Sequence, residues 1–303
     1  MSNISDCCRK YSIKAKQVKR WNNYIIIYGE DGSYLLKEKD NDKEKLYSTL
    51  ESIQYPYYLP LLNSYQDSYE LYPYFEEEVY DNNIKSKEFL KGLILLHKES
   101  IYYDDVSNID INDFYDKIRK DIDEQLQFYL NLQNNIEVEG FPRIDYYYFL
   151  LNVSSFYKVL TIALDKLDLW KSLEIKKIRK ALIMHKDSLS NFSYSSKKSY
   201  FIDFSECKHD LLINDFISFY QANLHQIDMI ECFHIYQSYI PFSYDEKVLL
   251  FCLICIPIRI TFTDNIYQNI VIIQNRVNYI EKTLQFLLEE DKENQKTDEE
   301  EFK

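Results

Sequence analysis

Glycine is scarce in this sequence: four in 303 residues, at positions 29, 32, 92 and 140. Neither G-x-G-x-x-G nor G-x-x-x-x-G-K-[ST] can be written from them, which excludes a glycine-lined phosphate loop of either kind. Positive charge is also in short supply. The formal net charge is −13, and an acidic surface repels nucleic-acid phosphates, so no nucleic-acid partner is expected. Six basic residues between Arg9 and Arg20 are a local exception, read as a solvated segment. Long apolar runs are missing too. The longest, Val248 to Ile258, has eleven residues, too few to cross a bilayer, so no membrane partner is expected. The opening MSNISDCCRK has no apolar core of a signal peptide. Six cysteines in a chain of this length make no disulfide framework, and a cytoplasmic location with reduced thiols is the expectation.

What is abundant is tyrosine, 29 residues in all. Oxidative cross-linking is one reading. Codon bias toward Tyr, Ile, Asn and Lys is the plainer one, and the scarcity of Ala and Gly supports it. Hydrophobic residues make up 46% of the chain, enough for a sizeable core.

The chemistry-bearing residues gather between Ala181 and Gln221. His185-Lys186-Asp187 leads to Asn191, and a short strand, Ser199 to Ile202, delivers Asp203. Asp215 opens an apolar helix, where it suits the N-cap. A carboxylate to orient an acceptor hydroxyl, an amide soon after it, and a second carboxylate at a strand end to hold magnesium are what phosphoryl transfer requires. Competing chemistry is weak. Cys252-x-x-Cys255 lies in an apolar helix with no second ligand pair, which reads as buried thiols. His225 and His234 do not match a ligand spacing, and no G-x-S-x-G elbow occurs.

Upstream, Tyr24 to Tyr28 and Ser33 to Glu38 read as a hairpin around Asp31-Gly32, with Lys37 near the end of its second strand. A short helix or extended lead-in is expected over residues 9–20. A helix over Asp42 to Ile53 follows, then strands at Leu61 to Tyr65 and Ser68 to Pro73. Helical periodicity covers Lys85 to Glu99, Asn112 to Asn134 and Asp145 to Leu169, with a shorter helix over Ser172 to Lys180. Further helices are expected at Asp215 to Leu224, Asp228 to Gln237, Tyr244 to Cys255 and Asn265 to Leu288. His97 reads as a packed, hydrogen-bonded core histidine. Glu289 to Lys303 reads as an acidic tail without structure.

HKDSLSN followed by YFIDFSE resembles the paired motifs of the aminoglycoside phosphotransferase and choline kinase-like superfamily, which shares the protein-kinase fold. That family's pattern is H-x-D, an Asn five residues after the Asp, then an I-D-F/W strand. Here Asn191 comes four residues after Asp187, and Phe192 takes the fifth place. The segment is one residue short, or the metal-binding amide is lost. The strand, D-G turn and Y-x-L-K resemble the family's first hairpin, and LYPYFEEE resembles its hinge. The wider strings resemble a spore-coat-associated branch in Firmicutes, which contains members with eroded catalytic loops.

The resemblance implies an α+β, two-lobe, protein-kinase-like fold. Its parts would be a small antiparallel-sheet lobe over residues 1–76, a helical lobe over 77–288 and a disordered tail over 289–303. It implies ATP and Mg2+ as cofactors, and a nucleotide and a small-molecule hydroxyl acceptor as partners. Lys37 would meet the phosphates, with Glu44 or Glu51 as its helix partner, Glu44 first. Tyr72 and Tyr74 would wall the adenine. Asp187 and His185 would serve catalysis, Asp203 and Asn191 the metal, and Asp215 would brace the 185–187 loop, a role compatible with an N-cap. The alternative is a kinase-fold protein without turnover, with spore-coat or other protein partners. The altered Asn spacing, the serine at 205 where the family favours glycine, and the missing glycines point that way.

Overall fold

The computed structural model describes residues 8–21, 24–38, 44–65, 69–78, 81–185 and 189–301. In chain order, β1 (Ala15–Trp21), β2 (Tyr24–Gly29) and β3 (Ser33–Glu38) precede helix α1 (Glu44–Ser52), β4 (Asn63–Tyr65) and β5 (Tyr69–Pro73). Next come α2 (Asn82–Ser100), β6 (Tyr102–Asp105), α3 (Asn108–Val138), α4 (Ile144–Ser172) and β7 (Lys177–Ile183). A single 3-10 turn (Leu189–Asn191), β8 (Phe192–Ser193), β9 (Tyr200–Phe201) and β10 (Lys208–Leu211) follow. The chain closes with α5 (Ile213–Asn223), α6 (Met229–Tyr239), α7 (Tyr244–Ile254) and α8 (Ile266–Glu301). The fold is α+β, as expected.

Two compact units form, each from two stretches: Met1–Ile101 with Ala181–Ser218, and Tyr102–Lys180 with Phe219–Lys303. The 77–101 and 181–218 stretches belong with the sheet, because α2 and the β8–β9 pair bury their aromatics together. Phe89 meets Phe201 at 5.1 Å between ring centres, and Phe192 meets Phe201 at 5.0 Å.

The first unit holds an antiparallel sheet in the order β1-β2-β3-β5-β4. β1 falls where a short helix or extended lead-in was expected, so the Asp31-Gly32 hairpin is the second of the sheet. Alternation in β2 and β3 sends Ile26 and Leu35 to one face, where they pack with Leu59, Tyr72, Tyr200 and Ile202. Ile27, Leu36 and Leu71 fill the other face.

In the second unit α4 is the core helix. Its 29 residues are long and apolar enough to cross a membrane, a feature not expected from the sequence reading, which weighed only Val248 to Ile258. It buries the stripe Phe149, Val153, Phe156, Leu160, Ala163 and Leu167 while packing against α3, α7 and α8. The segment Lys177 to Lys180, expected to end a short helix, is strand: β7 pairs antiparallel with β6, Tyr102 opposite Lys180. The Lys180–Asp104 ion pair at 2.6 Å ties the two strands, a cross-strand term that local periodicity does not reveal. Helix α8 continues through the acidic stretch to Glu301, where the sequence suggested no structure; its Glu, Lys and Gln are good helix formers.

Candidate functional site

Every described residue of the expected site belongs to the first unit. Lys37 shares the sheet face of Leu35 and is half-buried. Its ammonium donates to the carbonyl of Ile202, directly before Asp203. It also lies 5.2 Å from the Tyr24 ring centre and 5.1 Å from that of Tyr72. Two aromatic faces at such distances each contribute about 0.5–2 kcal/mol to holding a cation. Opposite Lys37 across the β3–β5 register stands Glu70, which is buried and accepts the Tyr72 hydroxyl at 2.7 Å. The sequence reading sought an acidic partner on α1. Glu44 opens that helix, its side chain lying outside the described residues, and Glu51 is exposed on it.

Asp203 follows the two-residue strand β9. Its Oδ1 accepts from the backbone N–H of Ser205 and its Oδ2 from the Ser205 hydroxyl, both at 2.9 Å. The Tyr24 hydroxyl is hydrogen-bonded to the same carboxylate; burial first, then this bond, raises the Tyr24 pKa well above its ordinary value. Asn191 is committed to the Asp203 backbone, donating to its carbonyl at 3.1 Å and accepting from its N–H at 3.0 Å. Phe192, at the place the family pattern gives to asparagine, is fully buried between Phe89 and Phe201. So Asn191 is the amide beside Asp203.

The approach to residue 187 is pinned from below. Asp215, fully buried in the first turn of α5, accepts from the backbone N–H of Met184 at 2.9 Å and of His185 at 3.1 Å. Its Oδ2 also lies 2.9 Å from Nε2 of His97, itself fully buried on α2. Asp215 is therefore a brace and not an N-cap, and His97 is the hydrogen-bonded core histidine expected. His185 has φ +55°, a conformation that costs a non-glycine residue about 1–2 kcal/mol. Its side-chain Nε2 stands 3.3 Å from Asp210 Oδ2, within ion-pair reach but off the direction of a hydrogen bond. Asp187 lies outside the described residues.

The two expected adenine-facing tyrosines differ. Tyr72 is 3% exposed and packs within the sheet-face cluster. Tyr74 is half-buried, edge-on to Tyr28 with ring centres 6.1 Å apart. The Phe75 carbonyl, in the hinge-like segment, accepts the Tyr200 hydroxyl at 3.1 Å. Tyr24 and Glu70 were not singled out from sequence, and Ser205 was noted only as a departure from the family pattern. A tyrosine and a glutamate in strands carry no signal there, although the serine departure at 205 was visible.

Among the described residues no group of three or more His, Cys, Asp or Glu side chains gathers as a metal site. A magnesium ion takes one or two carboxylates and fills its octahedron with water and substrate phosphates. Asp203 fits as that carboxylate. Asn191 fits less well, since both ends of its amide serve the backbone.

No family model matches the sequence, and no curated protein does. Solved structures do. An aminoglycoside phosphotransferase from Alicyclobacillus acidocaldarius matches with TM-score 0.66 at 11% identity, covering 92% of each chain. An AMP-bound spectinomycin phosphotransferase matches with TM-score 0.60 at 14% identity, covering 93% of this chain and 98% of its own. The same enzyme with ADP and spectinomycin matches with TM-score 0.53 at 12% identity, covering 94% and 98%. At these identities the likeness shows the fold, which is protein-kinase-like.

Proposed function

We propose that this chain is an ATP- and magnesium-dependent phosphotransferase acting on a small-molecule hydroxyl. The observation that carries the reading is the contact of the Lys37 ammonium with the carbonyl of Ile202, the residue that directly precedes Asp203. Lys37 would neutralise charge on the phosphates, and Asp203 would supply the carboxylate for magnesium. Magnesium, when bound, would offset the negative charge that accumulates during transfer. Asp187 would orient the acceptor hydroxyl and receive its proton. Asp215, bonded to His97, holds the backbone of residues 184 and 185, and His185 would support the loop. The nucleotide and acceptor named for the structural neighbours agree with this class of chemistry.

The test is thermal denaturation with ATP and magnesium, set against Asp203→Ala. Ligand at a hundredfold over its dissociation constant adds about 2.7 kcal/mol of stability. The parent protein is expected to shift upward and the variant to stay near its unliganded midpoint. An unmoved parent would reject the proposal.

A second reading is a kinase-fold protein without turnover that works through protein partners, in a spore coat or elsewhere. Commitment of the Asn191 amide to backbone at both ends favours it, because one of two metal ligands is diverted. Nucleotide binding with no ADP release across a panel of amino-alcohol and sugar acceptors would select this reading.

A further inference from the structure

Tyr24 touches both charged groups of the site at once. It opens β2, opposite Trp21 in the register of the first hairpin. Its hydroxyl is bonded to Asp203, and its ring lies 5.2 Å from the Lys37 ammonium. Side chains two apart on a strand share a face, so Tyr24 extends the row of Ile26. Ile26 is 2% exposed and wholly in the core, whereas Tyr24 is only half-buried at the edge of that cluster. Packing alone is served as well by phenylalanine. The hydroxyl on Asp203 has a separate purpose.

The two contacts mimic a ligand. A phenol O–H occupies a lone pair that a cation would take from the carboxylate, and the ring's negative face stands to the ammonium as an anion would. We propose that Tyr24 is an internal stand-in for the phosphate–metal group of the nucleotide. It holds Lys37 and Asp203 in place before nucleotide binds, and it gives up both contacts when nucleotide arrives. It is a positioning residue that also sets affinity, since apparent binding weakens by the fraction of molecules in which the tyrosine has withdrawn. The inference rests on the phosphotransferase reading above. It adds a residue from the first hairpin of the sheet.

The test compares the parent with Tyr24→Phe, which keeps the ring, and Tyr24→Leu, which removes both contacts. Calorimetry with Mn2+ alone and with ADP plus Mn2+ is paired with thermal denaturation of the unliganded proteins. Both variants are expected to melt lower and yet to bind tighter, Tyr24→Phe by about tenfold. A merely structural tyrosine would move the two readouts in the same direction. Parent and variants binding equally, or variants binding more weakly, overturns the inference and leaves the phosphotransferase reading standing. Absence of ADP binding in parent and variants alike overturns both. A measurement on the parent guards against misfolded variants. Nitration of Tyr24 by tetranitromethane, mapped by peptide mass, should speed up when ADP and Mn2+ are added. An unchanged or slower rate counts against withdrawal.

Discussion

Asn191 and Asp203 are joined amide to peptide. One Asn191 side chain satisfies both the N–H and the carbonyl of residue 203, at 3.0 and 3.1 Å. This pair of bonds fixes the backbone that carries the Asp203 carboxylate. Asn191→Ala removes both and is expected to cost about 1–3 kcal/mol. Asn191→Asp keeps the acceptor only and should fall between. Urea denaturation measures the series, and equal stability of all three proteins would contradict the geometry.

Asp215 receives three donors in a site without solvent. Asp215→Ala strands all three and is expected to lose about 3–5 kcal/mol. His97→Ala removes one partner and should cost less. If Asp215→Ala is no worse than His97→Ala in denaturant, the brace to residues 184 and 185 has little energetic content.

Gly92 on α2 is a contact glycine. An added Cβ would fall 2.7 Å from a ring carbon of Phe201, and that ring is hemmed in by Phe89, Phe192 and Phe204. Alanine gains about 1 kcal/mol in helix propensity, but overpacking a hemmed ring costs about 1–3 kcal/mol. Gly92→Ala is therefore expected to lower the melting temperature; a rise would show that Phe201 moves freely.

Alkaline pH should unfold the protein steeply. Burial pushes the Tyr129 hydroxyl up to about 12, and burial raises Tyr55, Tyr220 and Tyr279 as well. An ordinary tyrosine ionises near 10, so above that the unfolded chain releases protons that the folded chain keeps. Stability is then full below about pH 10 and is lost as pH climbs toward and through 12. Absorbance at 295 nm should show part of the 29 tyrosines titrating normally and the rest only with unfolding. A single smooth titration near pH 10 would contradict the burial.

Cys252 and Cys255 should be inert in the native state. Both are free and buried, and burial pushes the Cys255 thiol up to about 12 and Cys252 higher still. Almost no thiolate exists at neutral pH, so alkylation should need denaturant. Rapid labelling of either residue in native buffer would reopen a redox or metal role.

Much of this was legible in the residues. The hairpin of β2 and β3 declares itself by β-branched alternation around Asp31-Gly32, and α2, α3 and α4 by their stripes. His97 was readable as core because it sits in an apolar helix. Strand β7 was not readable: Lys177 to Ile183 mixes charge and aliphatic residues, and only its distant partner β6 makes it a strand. Residue types at Asn191 and Asp203 were visible, but where the amide turns depends on a backbone twelve residues away. Tyr24 stayed hidden because a tyrosine in a strand is common and its two partners are remote in sequence.

The backbone on either side of residues 186–188 is fastened separately, at Met184 and His185 by Asp215 and at Asn191 by Asp203. Each fastening spends one side chain on two backbone groups, so a lineage that keeps this frame has little freedom at Asp215 and Asn191.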